Sequence, residues 1–443
     1  MMERMPFFFL GLVFSVLPLL SCAVDVCNAT KLIELFRNMD ESNASISIDL
    51  CGDLNFSDTE LKIPLGAGDP PVNFSGVLDG HGHKITDITM DLQKGSKFAH
   101  AGLFYGLKNA EVKNLVIDSS CSFVGTETAG ALCVTVLGSL KVTNVTNKAT
   151  VGGKTSVGGF AAVVGAQQSF LEFEDCVNDA NVSGGRGSVS GNDNPAVGGF
   201  VGSIQSTQNL NVTFTNCINN GTIKSEREPS SESENGLGGF VGVFIGNFFP
   251  NVSLESCVNS GDVKGAFNAG GFLGLVATSN SALHTINIHN CTNNGAVQST
   301  KYAAGIVGFV GSCSSCPVTL VVVSSANNGN ISADEKSVCG LFCSKESSVK
   351  STVENSINRG SVSGHDAFGI ANMVNISFNV VSMGDVNGSG KKCSLWNGVA
   401  SMGCVYSLEP CDKTCYGVNP LFLTKKEEEG LNLKVKRCIL RTN

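Results

Sequence analysis

The chain has 443 residues, a formal net charge of −8 and only 15% charged residues. A negative net charge argues against nucleic acid as a partner, because binding the phosphate backbone requires Lys and Arg to neutralise it. The 52 glycines and the single tryptophan also distinguish this composition from that of an ordinary globular enzyme. Length alone would suggest about two or three domains, but internal repeats favour one elongated body.

Residues 1–23 have the pattern of a secretory signal peptide. Phe7 to Leu20 form an apolar stretch, and Ser21-Cys22-Ala23 places small residues at a cleavage site. The apolar stretch is short for a membrane span, so cleavage is favoured over an uncleaved anchor. No later apolar run is long enough to cross a bilayer, and the polar C-terminus lacks the tail of a lipid-anchor signal. We therefore expect an extracellular or cell-surface protein with no transmembrane span after signal cleavage.

Residues 24–100 are predicted to form an N-terminal cap and the opening coils of a stacked fold. A short amphipathic helix is expected first, with Thr30 as its N-cap. Its apolar face consists of Leu32, Leu35, Phe36 and Met39. Such a cap protects the end of a repeat stack, which would otherwise expose apolar surface and unpaired strand edges.

The rest of this segment reads as short strands. Strands are predicted at 45–50 and 61–64, and residues 74–90 read as a turn-rich strand pair. Cys27 and Cys51 flank the first part of the segment and are expected to close it as a disulfide.

Residues 101–390 repeat two short phrases at intervals of roughly 24 to 41 residues. The first phrase is Cys-x-Asn-x-Gly-x-Val, and its best copies begin at Asp175, Asn216, Ser256 and Asn290. The second phrase is Gly-Gly-Phe-Val-Gly, found at Gly198 and Gly238. Each repeat contains three short strand signals and no helical stretch, which predicts one triangular coil per repeat. The predicted fold is therefore all-β, a single-stranded parallel β-helix of about nine to ten coils. A β-propeller is the alternative, although it needs four strands per blade.

Equivalent positions of the repeat are predicted to stack in columns. The asparagine column is Asn147, Asn178, Asn219, Asn259, Asn293, Asn327 and Asn358. Stacked amides of this kind satisfy buried polar groups from one coil to the next. The glycine column, predicted to need a positive φ, is Gly221, Gly261, Gly295, Gly329, Gly360 and Gly384. The thiol column is Cys176, Cys217, Cys257 and Cys291. Val or Ser takes the same position in the other repeats. This pattern favours an inward-facing, inert packing position over a row of metal ligands or redox-active thiols.

The sequon Asn-x-Ser/Thr marks candidate N-glycosylation sites on exposed loops if the source is eukaryotic. The candidates are Asn28, Asn43, Asn55, Asn73, Asn181, Asn211, Asn220, Asn251, Asn330, Asn375 and Asn387. The same motif also occurs at Asn144 and Asn290. In a bacterial protein the motif would carry no such meaning.

The period is broken by polar insertions at 185–197 and 225–237, which are expected to leave the stack at one corner as solvated loops or a binding face. Residues 391–443 hold a cluster of cysteines and the only Trp, which predicts a Cys-rich C-terminal cap and tail. Two closely spaced cysteine pairs, Cys313/Cys316 and Cys339/Cys343, are interpreted as disulfides and not as zinc ligands, since no histidine supports them.

The segment FSGVLDGHGHKIT beginning at Phe74, followed by GLF and repeated GGFVG, resembles pectin-lyase-like right-handed parallel β-helix proteins. The alternation with Cys-x-Asn-x-Gly-x-Val is similar to GLUG-type repeats of surface proteins. The resemblance covers roughly residues 50 to 390 and implies the fold, with repeats that are mostly structural. It also implies an alternative activity, because this group includes polysaccharide lyases and glycoside hydrolases.

Catalytic signals in the sequence are weak. Gly80-His81-Gly82 matches part of a polygalacturonase signature, but the accompanying Asp-Asp pair and Arg-Ile-Lys are absent. Glu172 and Glu174 share one strand face, and a solvated face is favoured over a glycosidase pair. His284 and His289 fall on opposite faces of a strand, so they form no metal clamp. We therefore expect no catalytic residue, cofactor or metal.

The expected function is binding or display by a secreted or cell-surface, N-glycosylated repeat protein, adhesin-like or antigen-like. The expected partner is an extracellular glycan or protein ligand, with no nucleic acid involved. The alternative is a carbohydrate-active enzyme of the pectin-lyase-like fold.

Overall fold

A computed structural model describes residues 23–92, 98–165, 169–185, 195–206, 209–226, 235–246, 251–265, 267–278, 283–312, 317–344, 349–372, 376–378, 380–390, 392–393 and 405–407. Nearly all of the predicted signal peptide, most of both insertions and nearly all of the predicted C-terminal cap lie outside the described residues. Asn375 and the Cys313/Cys316 pair lie outside them as well.

The described chain is all-β apart from one helix, and its strands form parallel sheets along a stack of coils. This confirms the predicted parallel β-helix. Successive repeats pair with each other in register, as Asn178 with Asn219 and Asn219 with Asn259. A β-propeller is excluded because its repeats do not pair parallel to their neighbours in this way.

Four sheets run along the stack. Sheet 1 consists of His100–Ala101, Thr128–Gly130, Ser156–Gly158, Ala196–Gly198, Gly236–Gly238, Asn268–Gly270, Tyr302–Ala304, Ser337–Cys339, Asp366–Phe368 and Lys392–Cys393. Sheet 2 consists of Phe104–Leu107, Cys133–Val136, Ala161–Val164, Val201–Ser206, Val241–Gly246, Leu273–Thr278, Val307–Ser312 and Phe342–Ser344. Sheet 4 consists of Thr89–Asp91, Ser122–Val124, Thr150–Gly152, Val182–Gly184, Ile223–Ser225, Val263–Lys264, Val297–Ser299, Ile331–Ala333, Val362–Gly364 and Val386–Gly388.

Sheet 3 is the longest and connects sheet 2 to sheet 4 within each coil. Its strands are Val24–Val26, Ser47–Leu50, Leu54–Asn55, Val77–Asp79, Lys84–Thr86, Ala110–Ile117, Leu140–Asn147, Ser169–Glu174, Val177–Asn178, Leu210–Thr215, Ile218–Asn219, Asn251–Glu255, Val258–Asn259, His284–His289, Thr292–Asn293, Val318–Val323, Ala326–Asn327, Val349–Glu354, Ile357–Asn358, Ile376–Phe378, Val380–Ser382 and Val405–Ser407.

The prediction of three strands per repeat is wrong, because the Gly-Gly-Phe-Val-Gly phrase is not one strand but spans a corner between two strands, as at Gly199 and Phe200. The strand before it belongs to sheet 1 and the strand after it to sheet 2. The two sheets come close at this corner: Ser156 Oγ lies 3.0 Å from Ser203 Oγ, and both residues are buried. A Cβ on Gly202 would come within 2.6 Å of Val157 N, so the final glycine of the phrase permits this approach.

The phenylalanine of the same phrase turns inward and builds the core. Its rings follow one another from coil to coil. Phe160 stacks on Phe200 at a centroid distance of 4.9 Å and Phe200 on Phe240 at 4.6 Å, and the Phe272 ring lies tilted at 5.0 Å from Phe240. All four side chains are fully buried. Burial of such large apolar surfaces is the main stabilising contribution of each coil.

The single helix, Ala29–Arg37, lies in the predicted cap. Its N-cap is Asn28 and not Thr30 as predicted, since the Asn28 side chain accepts a hydrogen bond of 2.8 Å from Lys31 N. Leu32 and Phe36 are buried on its apolar face.

The opening segment differs from prediction in two further respects. Residues 61–64 form no strand, and only Leu65 makes a bridge, to Phe104. Residues 74–90 contain parts of three strands that pair with neighbouring coils and not with each other. The predicted disulfide between Cys27 and Cys51 is confirmed, as is the one between Cys339 and Cys343.

Candidate functional site

The asparagine column forms a continuous chain of amide hydrogen bonds inside the stack. All seven side chains are fully buried. Each Nδ2 donates to the Oδ1 of the next asparagine, at 2.8 Å from Asn178 to Asn219 and 2.7 Å from Asn219 to Asn259. The remaining rungs, from Asn147 to Asn178 and from Asn259 through Asn293 and Asn327 to Asn358, measure 2.7 to 3.0 Å. From Asn178 onwards the same Nδ2 also donates to a backbone carbonyl two residues on, as from Asn219 to Gly221 O at 3.0 Å. Asn147 Nδ2 donates instead to Gly159 O at 2.7 Å. The ladder thus satisfies buried polar groups of the turn.

The predicted role of the glycine column is wrong. Gly221, Gly261 and their equivalents do not adopt a positive φ. A Cβ on Gly261 would instead collide with the carbonyl oxygen of Gly221 in the adjacent coil. Glycine is required there by close stacking of turns and not by left-handed backbone conformation.

The left-handed backbone conformation lies at the residue just before the Cys position. The residues concerned are Asp175, Asn216, Ser256, Asn290, Ser324 and Asn355, with φ between 48° and 55°. Asn and Asp tolerate this region better than other residues, and here they bend sheet 3 into two strand segments. Neighbouring coils are joined on the outside at this bend, as by Asn216 Nδ2 donating to Asp175 Oδ1 at 3.2 Å. This column was not predicted from the sequence, although the Asn, Asp or Ser before each Cys was its signal.

The thiol column lies immediately inside this bend. Cys176, Cys217, Cys257 and Cys291 are fully buried and not disulfide-bonded. Each sulfur donates to a backbone carbonyl, as Cys217 Sγ to Thr215 O at 3.3 Å. Ser325 takes the same position and donates through Oγ to Val323 O at 2.9 Å. Burial raises the pKa of Cys217, which keeps it a neutral, unreactive thiol.

The outer face of sheet 3 bears charged side chains in its first coils. Lys141 Nζ lies 2.9 Å from Glu172 Oε1 and 3.5 Å from Glu174 Oε2, so both glutamates of the sequence-derived pair share one cation. Hydrogen bonding to Glu172 raises the pKa of Lys141. This arrangement is an ion-paired surface, without the unpaired acid that glycoside hydrolysis requires.

A second acidic group lies on the opening coils, where Asp49 and Asp79 are register partners on adjacent strands. His81 follows in a tight turn with a φ of 48°, and the turn continues through Gly82 at 83°. His81 Nε2 lies 3.4 Å from Asp49 Oδ1. The ligand atoms of Asp49, Asp79 and His81 all lie within 4.8 Å of one another. Among the described residues, these three form the group that can hold a metal ion, and a mixed Asp/His set suits zinc.

The protein already neutralises much of this group. Lys113 Nζ lies 3.5 Å from Asp79 Oδ2. Asp79 Oδ1 accepts from His81 N at 2.9 Å and from Asn114 Nδ2 at 3.0 Å. Burial by itself raises the pKa of Asp79, but these hydrogen bonds and nearby positive charges outweigh it, and the net pKa is lowered. Asp79 is thus held as an anion, and the Lys113 ammonium competes with any cation for it.

The histidines at 284 and 289 do not come together with this group. His284 is fully buried, whereas His289 is exposed at the other end of the same strand.

The sequon asparagines lie on the outside of the coils. Asn28, Asn43, Asn55, Asn181, Asn211, Asn220, Asn251, Asn330 and Asn387 are exposed. Asn73 is half-buried, and its Oδ1 is buried against Gly106. Several of these side chains also bridge coils, as Asn181 Oδ1 accepts from Thr222 N at 3.0 Å and Asn330 Oδ1 from Ser361 N at 3.1 Å.

The fold defines a protein of the parallel β-helix class. No protein-family profile and no curated protein sequence matches the chain. A similar solved structure is a "putative immunoglobulin A1 protease" from Bacteroides ovatus, with 16% sequence identity and a TM-score of 0.45, covering 62% of this chain and 77% of that one. Similarity at this level carries no functional argument.

Among the described residues, no helix combines the length and apolar character needed to cross a membrane.

Proposed function

We propose that the protein is a secreted or cell-surface, N-glycosylated β-helix rod that acts by binding or display, in an adhesin-like or antigen-like role. We also propose that its repeats are of the GLUG type. Its partner would be an extracellular glycan or a protein ligand.

The position of the sequons carries this proposal. Of the ten candidate asparagines in the described residues, nine are exposed and only Asn73 is half-buried. Glycosylation requires an accessible Asn, and sequons on a secreted chain mark surface positions. The repeated polar residues of the interior, by contrast, are used to hold coils together. The interior thus maintains the stack, and the outer face is left for recognition.

The proposal is tested by expressing the whole chain in a eukaryotic secretory cell line. We expect the protein in the medium, with a mass that falls on treatment with an amidase that removes N-glycans. The purified protein is then passed over immobilised host glycans and pectin-like polysaccharides, with retention and cleavage measured together. Retention without cleavage supports the binding role, whereas cleavage without stable retention overturns it.

A second candidate function, a carbohydrate-active enzyme, is favoured by one observation. Asp49 and Asp79 place carboxylates on adjacent coils beside His81. A retaining glycosidase needs two carboxyl groups about 5 Å apart, one of them a general acid with a raised pKa. The lowered pKa of Asp79 is opposite to that requirement. If the polysaccharide assay shows cleavage, Asp79→Asn should abolish it, with Asp58→Asn, an exposed aspartate outside the group, as control.

A further inference from the structure

One aromatic side chain on the outer face of sheet 3 is not accounted for by packing. Phe170 is 45% exposed, whereas most of the other phenylalanines among the described residues are buried in the core. It lies on the strand Ser169–Glu174, and its register partner on the next coil is Asn211. Parallel partners of this kind lie about 4.8 Å apart, with their side chains on the same face. The ring of Phe170 is thus next to the side chain of Asn211.

Asn211 is itself exposed and begins the sequon Asn211-Val212-Thr213. Its other register partner is Asn251, which begins a second sequon. Asn251 Oδ1 accepts a hydrogen bond of 3.0 Å from Asn287 Nδ2, so that asparagine is tied to the following coil. Among the described residues, Asn211 is the one of these two asparagines whose register partner is an exposed aromatic residue.

We propose that Asn211 carries an N-linked glycan whose first sugar packs on the ring of Phe170. One face of a pyranose consists of C–H groups, and its contact with the ring removes apolar surface from water at roughly 25 cal/mol per Å². The proposal rests on the proposed function, because it requires export through a glycosylating compartment. It goes further by naming the modified residue and the protein surface that its glycan covers.

The attachment chemistry is that of ordinary N-glycosylation. A bond forms between Asn211 Nδ2 and the anomeric carbon of an oligosaccharide carried by a polyprenyl diphosphate. The bond from that carbon to the diphosphate oxygen breaks, the lipid diphosphate leaves, and the Nδ2 proton passes to the transferase. Thr213 supplies the hydroxyl of the sequon.

The test measures how well the glycan shields Phe170. Wild type and Asn211→Gln, both secreted from eukaryotic cells, are exposed to hydroxyl radicals, and oxidation of single residues is read by mass spectrometry. We expect Phe170 to be oxidised about threefold faster in the variant, as its exposed area increases on loss of the sugar. Leu283, which is 59% exposed and on another coil, should react equally in both.

Two further variants separate loss of the glycan from loss of the asparagine side chain. Thr213→Ala removes the sequon but keeps Asn211, so it should raise Phe170 oxidation as Asn211→Gln does. Asn330→Gln removes a distant sequon and should leave Phe170 unchanged. Equal oxidation of Phe170 with and without the Asn211 glycan, or an unmodified Asn211 on a chain glycosylated elsewhere, overturns this inference alone. A secreted chain with no glycan at any sequon overturns the N-glycosylated character of the proposed function as well.

Discussion

Gly199 lies directly against the side-chain amide of Asn219: a Cβ built on Gly199 would come within 2.6 Å of Asn219 Oδ1. The same contact recurs between Gly159 and Asn178, again at 2.6 Å. The second glycine of the Gly-Gly-Phe phrase and the asparagine of the other phrase are therefore two halves of one packing arrangement. This explains why the two phrases alternate along the chain.

Replacing Gly199 by Ala should destabilise the stack, because the new methyl group meets both the ladder and the carbonyl of Gly239. Overpacking of a closed interior costs about 1–3 kcal/mol. Urea unfolding followed by circular dichroism measures the change. Gly165→Ala is the matched control, since a Cβ there meets no atom within 4 Å. Equal midpoints for the two variants would contradict the packing argument.

Replacing Asn219 by Leu should be more damaging. It leaves an Asn178 Nδ2 hydrogen without its acceptor, and Asn259 Oδ1 and Gly221 O without their donor. Each buried polar group left unsatisfied costs about 1–3 kcal/mol, so the expected loss for the three groups is roughly 3–9 kcal/mol. The exposed neighbour Asn220, changed to Ala, should alter the free energy of unfolding by only about 0.5 kcal/mol. A small change in the free energy of unfolding for Asn219→Leu would show that the ladder contributes little to stability.

Stability should depend on the charge of Asp79. Because its pKa is lowered in the folded state, the ionised carboxylate stabilises the fold above the unfolded pKa of about 3.9. That contribution is lost as the pH falls through the lower, folded pKa. Asp79→Asn should therefore be less stable than wild type at pH 7, and the difference should shrink as the pH falls below the unfolded pKa and vanish below the folded one. Urea midpoints across this range measure it; a difference that stays constant with pH would exclude a charge effect.

The buried thiols should be inert while the protein is folded. Burial raises the pKa of Cys121 to about 11 and raises that of Cys133 as well. The thiolate is the reactive species, so both should resist iodoacetamide at pH 8. The thiol column should resist it as well, because Cys176, Cys217, Cys257 and Cys291 are fully buried and the reagent cannot reach them. Site-by-site mass spectrometry should find these residues labelled only after addition of urea. Labelling of Cys176 in the folded protein would mean that the column is accessible.

Much of the fold was predictable because the sequence repeat directly indicates which residues of successive coils pair with each other. Residues at the same position of successive repeats, such as Asn178 and Asn219, must stack above one another once successive coils pair in parallel. The four-sheet cross-section was not predictable in the same way. Residues 198–202 read as one apolar strand, whereas the glycines among them lack side chains and so allow a close corner between two sheets.

The group formed by Asp49, Asp79 and His81 was not predictable from the sequence. These residues precede the regular repeats, so no repeated motif aligns the two segments and shows that Asp49 lies opposite Asp79. The left-handed conformation of the residue before each Cys could have been predicted from its residue type, since Asn and Asp favour that conformation. We assigned the turn to the later glycine because positive φ is the commoner reason for glycine in a turn. In this protein, close approach of successive turns is the reason.

Because of the ladder, whole repeats in the middle of the chain could be lost or gained by changes in the gene without disturbing the rest of the stack. Val177 and Ile218 are register partners, so an in-frame loss of codons 177–217 would join Cys176 to Ile218 without shifting any later rung. Asn219 would then follow Asn147 directly, and every amide would still find a neighbour. Length variants arising by such recombination would differ in reach while presenting the same two ends.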